Sequence, residues 1–90
     1  MTIAKTFPAR KHEALNFAES GVNYTMESGV ARIHPPCRAV IVGSAGAING
    51  RQVDMADLAA TAELPVGMYI LQFTDISEAG TTAGAITLLW

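Results

Sequence analysis

Apolar and polar positions alternate with a period of two over several short stretches of this chain. In residues 68–76, Tyr69, Leu71 and Phe73 point one way while Gln72 and Thr74 point the other. That is the signature of a half-buried strand. Residues 85–90 repeat it, with Ile86, Leu88 and Trp90 on one face. Residues 38–42 are rich in β-branched side chains and run into Gly43, the strongest strand signal in the sequence. Residues 30–34 alternate loosely and end at Pro35-Pro36, because neither proline can donate to a strand ladder.

Between these runs lie turn signals. Residues 43–46 are glycine-rich, and 77–84 hold two glycines and two threonines. Asn49-Gly50 predicts a hairpin turn flanked by strands at 47–48 and 51–55, since such turns favour positive φ at both positions. Residues 56–62 are alanine-rich but meet Pro65 early, which predicts a single turn or a twisted strand. Residues 11–19 have room for two helical turns stopped by Gly21. The resulting expectation is an all-β fold, a small antiparallel sandwich or barrel of short strands. An N-terminal arm over 1–28, holding a short helix, precedes a β-domain over 29–90. The terminal Trp90 is expected in the core, with an interface as the alternative.

Composition changes this picture in one respect. The 90 residues are 50% hydrophobic but only 16% charged, against roughly 25% charged in an average soluble domain. Mean hydropathy is +0.28, which argues against intrinsic disorder. A chain of this size folds as one small domain and buries a modest share of its surface. Few ionised groups remain to cover the outside, so the protein is expected to work as a subunit. The net charge of -2 leaves no cationic excess for phosphates, and a nucleic-acid partner is not expected. No apolar run approaches the ~18 residues of a membrane helix, so no membrane partner is expected either. Residues 1–5 lack the apolar core of a signal peptide. Cys37 is the sole cysteine, which excludes an intrachain disulfide framework. These features predict a chain made in the cytoplasm.

Four places in the chain offer candidate chemistry. Residues 40–46 run from a strand into glycines, but with G-x-x-G spacing, and no helix or Walker lysine follows. Asp54, Asp57 and Glu63 lie close together, yet fall short of the oxygen count a hard cation takes. They read as caps or solvated loop charges. His34 and Cys37 would make a base and nucleophile, but Pro35-Pro36 holds them extended, and a free cysteine is commonly a small buried hydrophobe. Met26, Met55 and Met68 read as core fillers or as an adaptable contact surface. No catalytic residue, cofactor or metal ligand is expected.

Three segments carry a resemblance. Residues 36–46, PCRAVIVGSAG, resemble the "(P)CRALYVGTAG" segment of the short spike base proteins of gene transfer agents and related tailed phages and prophages. Residues 64–71, LPVGMYIL, resemble their "PAGxxLPIRV" segment. Residues 80–90, GTTAGAITLLW, resemble their C-terminal "GTTATDIVALW". The segments keep the family's order over about the last two-thirds of the chain. The resemblance implies a non-enzymatic virion component, a base by which a spike or fibre attaches to the particle. Its implied partners are further copies of itself and other virion proteins of spike, fibre, capsid or tail. Within the motifs, Gly43, Gly46, Gly80, Thr81 and Thr82 read as structural turns. Tyr69, Phe73 and Trp90 are the candidate interface residues. A small carbohydrate- or ligand-binding β module is the alternative, although aromatic residues make up only 7% of the chain.

Overall fold

The computed structural model describes residues 12–90. Among them nine strands and no helix are found. They are β1 (His12–Ala14), β2 (Tyr24–Glu27), β3 (Val30–Ile33), β4 (Ala39–Ser44), β5 (Asn49–Gln52), β6 (Ala59–Ala60), β7 (Gly67–Tyr69), β8 (Phe73–Ser77) and β9 (Gly84–Leu89). One sheet has four strands in the order β1-β9-β4-β7, and the other has five in the order β2-β3-β8-β5-β6. Every pairing is antiparallel. The two sheets face each other across Val40, Val42, Ile86 and Leu88 on one side and Tyr24, Ala31, Ile33, Phe73 and Ile76 on the other. The fold is an all-β antiparallel sandwich, as the alternation predicts.

Four sequence expectations are corrected. The helix over 11–19 is absent where described: His12–Ala14 is strand β1, in register with Leu89, Leu88 and Thr87 of β9. Glu13 cannot serve a helix surface there, because its carboxylate accepts the backbone N–H groups of Val22 (2.6 Å) and Asn23 (2.9 Å). The boundary at 28/29 falls inside the β2–β3 turn, where Ser28 and Gly29 both have positive φ. Residues 12–28 therefore belong to the sandwich, with Tyr24 in its core; the arm expected over 1–11 lies outside the described residues.

The hairpin at Asn49-Gly50 is the third correction. Both residues lie within β5. A Cβ on Gly50 would sit 2.7 Å from two ring carbons of Phe73 and 2.8 Å from the Asp75 carbonyl oxygen. The glycine is required by an aromatic ring lying on the backbone rather than by a turn. The fourth is the single strand over 68–76, which is two strands in different sheets, β7 and β8. Residues 70–72 carry the chain across. The alternation also changes phase, since both Phe73 and Ile76 point inward. A register shift between Arg51 and Gln52 on the neighbouring strand absorbs the change. The alanine-rich stretch takes its twisted-strand alternative, as the two-residue β6 against β5.

Candidate functional site

The chain passes between sheets side by side at each end of β4. Leaving β4, residues 45–48 cross to β5; residues 78–83 cross back from β8 to β9. These two crossings contain Gly46, Gly80, Thr81 and Thr82, four of the five residues read as structural turns; the fifth, Gly43, lies within β4 and is not a turn. The two crossings are bonded to each other. Thr82 and Ala83 donate their N–H groups to the Ala47 carbonyl (2.8 and 3.0 Å). Ala47 N–H donates to Thr82 Oγ1 and Asn49 N–H to Thr81 Oγ1, each at 2.9 Å. Thr81 in turn donates its hydroxyl to the Ser77 carbonyl. A crossing leaves ladder groups without strand partners, and the threonine hydroxyls supply them.

Side-chain volume is excluded here. A Cβ on Gly46 would lie 2.4 Å from Ala83 N and 2.6 Å from Thr82 C; one on Gly43 would lie 2.7 Å from Ala85 Cβ. Gly46 also exchanges both backbone bonds with Leu64 (3.1 and 2.8 Å). The resembling segments 36–46, 64–71 and 80–90 therefore meet at one place. Gly80 has φ of 87°, a conformation few other residues adopt.

At the opposite end of β4, residues 34–38 and 70–72 cross together. Cys37 is buried and donates twice, its backbone N–H to Phe73 O (3.2 Å) and its Sγ–H to Leu71 O (3.4 Å). Burial pushes the thiol pKa up, and bonds from backbone N–H groups only partly oppose this. A thiol so held is a poor nucleophile. His34 faces away, its Nε2 paired with Thr25 Oγ1 at 2.9 Å. The base–nucleophile pair is not assembled. Trp90 completes this corner, 7% exposed, donating Nε1–H to Pro35 O at 2.7 Å.

Of the three candidate interface residues, Phe73 and Trp90 thus lie in the chain's own core, and Tyr69 is half-buried with its hydroxyl on Pro65 O. Asp54, Asp57 and Glu63 are all exposed. No group of three or more His, Cys, Asp or Glu side chains suited to a metal ion occurs among the described residues.

Two features escape the sequence reading. The first is a charged ladder on the outer face of the five-stranded sheet. Registration places Asp75 between Arg32 and Arg51. Arg32 Nε donates to Asp75 Oδ1 (2.9 Å), Arg51 Nε to Asp75 Oδ2 (2.8 Å), and Arg32 Nη1 to Glu27 Oε1 (2.9 Å). Thr74 and the Met55 carbonyl complete the ladder. An open depression of ≈ 320 Å³ lies over it, lined by Glu27, Ser28, Val30, Arg32, Leu58 and Asp75. The signal was available: Asp75 is the only carboxylate between Glu63 and Glu78, and it lies within strand β8.

The second is an apolar edge on the four-stranded sheet. Val66, Met68 and Ile70 are 65%, 51% and 70% exposed, and Ile41, the register partner of Met68, is 38% exposed. The alternate spacing of 66, 68 and 70 is the sign to look for.

The fold and these surfaces define a β-sandwich in which Gly46, Thr81 and Thr82 pack or bond within the chain's own crossings. Comparison with family models, with curated proteins and with solved structures found no match for the chain.

Proposed function

We propose that this protein is a non-enzymatic structural component of a phage or prophage particle, an oligomeric base that anchors a spike, fibre or decoration element. It is made in the bacterial cytoplasm and carried in the virion. Its partners are copies of itself and neighbouring virion proteins. The observation that carries this reading is the convergence of the three family-like segments. Residues of 36–46, 64–71 and 80–90 interlock at one corner through Gly46, Leu64 and Ala83, so the resemblance falls on contacts the fold itself requires. The exposed apolar edge supports the subunit role, in a chain only 16% charged.

The test is direct. Particles induced from the source strain are labelled with a gold-conjugated antibody against the chain and imaged by electron microscopy. Label concentrated at one structural locus supports the reading. Particles that carry no label overturn it.

The depression over the charged ladder favours a second reading, a small-ligand or carbohydrate module. It lacks an aromatic wall, and both Asp75 oxygens are already held by arginines. A reproducible glycan-array signal from the isolated protein would favour this module over the particle base.

A further inference from the structure

A sheet edge left open invites another strand, and folded proteins protect such edges with charge, shortness or proline. Among the described residues the sandwich has four edge strands. β1 carries His12 and Glu13, β2 carries Glu27, and β6 is two residues long. β7 is different. From Leu64 to Gln72 there is no charged residue, and Pro65 lies outside the strand itself. Gly67–Tyr69 pair with Val40–Val42 of β4 on one side, an isolated Gly46–Leu64 bridge follows further along, and among the described residues the other side of β7 is an edge.

The apolar pattern is symmetric about Met68. Val66 precedes it by two residues and Ile70 follows by two, all three exposed. An antiparallel copy laid against it with Met68 opposite Met68 puts Val66 opposite Ile70 at both ends. No like charges meet, and residues of one periodicity meet on the same face. A two-fold interface needs a surface complementary to itself, and this edge has that property.

We propose that β7 is a homotypic docking edge, by which two copies pair antiparallel about Met68 and join their four-stranded sheets into one of eight. This rests on the assembly reading above and names its first contact. Ile41, beside Met68, widens the apolar strip. Main-chain bonds across the new pair satisfy the open edge, and the strip leaves water with them.

The experiment uses the full chain. Sedimentation equilibrium measures the mass, and Met68→Cys is oxidised mildly beside Val53→Cys, an exposed control outside the strip. The native Cys37 is buried, so the unmodified chain is the blank. The expected result is a disulfide dimer from Met68→Cys at least about 10-fold more abundant than from Val53→Cys. Met68→Lys places two cations on the axis and is expected to weaken self-association by about 100-fold, with an unchanged denaturation midpoint at concentrations where both chains are monomeric. An oligomer that neither cross-links preferentially at position 68 nor responds to Met68→Lys overturns the β7 contact while leaving the particle reading intact. A monomer at all concentrations overturns the contact as well. Cross-linking at 68 with unlabelled particles retains the contact and overturns the particle reading.

Discussion

The two corners at the ends of β4 are closed by opposite means. At the glycine corner, backbones approach until no Cβ fits between Gly46 and Ala83, and the polar groups are met by main chain and threonine hydroxyls. At the proline–cysteine corner, the gap between crossings is filled by side chains: the Cys37 thiol, the Trp90 indole and the Phe73 ring are all buried. One corner depends on missing atoms, the other on present ones. Adding a methyl group should therefore damage the first, and removing volume should damage the second.

The sharpest way to break this contrast is Gly46→Ala. Its new methyl meets backbone atoms at 2.4–2.7 Å, which cannot rotate aside. The expected loss is about 3 kcal/mol of folding stability, read from urea denaturation. Gly29→Ala is the control, because its Cβ would meet nothing within 4 Å and only its φ of 78° is strained. It should lose about 1 kcal/mol. Equal losses at the two positions would mean that conformation, not crowding, governs the glycine corner.

At the other corner, Trp90→Phe shortens a buried side chain and removes the indole N–H that donates to Pro35 O. A loss of about 2 kcal/mol is expected from the space left behind and the missing bond. A variant as stable as the parent would show that Trp90 caps the corner without filling it.

The same contrast explains what could be read from the sequence. Periodicity in residues 38–42 and 85–90 reports local geometry, and both became strands of the four-stranded sheet. Gly43 lies within β4 rather than in a turn, but the positions of Gly46, Gly80, Thr81 and Thr82 in the crossings were legible because glycine and threonine clusters signal turns. That the two clusters bond to each other was not, since the pairing spans more than thirty residues, as between Ala47 and Thr82. Gly50 shows the same limit from the other side. Its neighbour Asn49 makes a local hairpin signal, but the requirement for glycine comes from Phe73 in another strand. The edge at Val66–Ile70 was hidden because a continuous alternation over 68–76 gives no mark where the chain changes sheet. The candidate interface residues Tyr69 and Phe73 share a face only on an uninterrupted strand, and the crossing at 70–72 separates them into different sheets.

The smallest expected effect distinguishes the corners by charge. Residues 43–49 and 80–85 contain no titratable side chain, whereas the proline–cysteine corner contains a thiol whose pKa burial has raised. The unfolded chain releases the Cys37 proton near its ordinary value of ~8.5, while the folded chain still holds it. The unfolded state thus binds fewer protons in that range, and stability must fall as pH rises. The contribution is complete below the unfolded value and is lost as pH climbs toward the raised folded value. The ionised sulfur would also lose its donated bond and face the Leu71 carbonyl without a proton between them. Denaturation of the parent and of Cys37→Ala across pH 7.5–9.5 isolates this effect, because the two chains differ only at that side chain. The parent curve should fall more steeply. Parallel curves would mean that the thiol ionises without opening the corner, and that volume alone, as at Trp90, holds the crossings together.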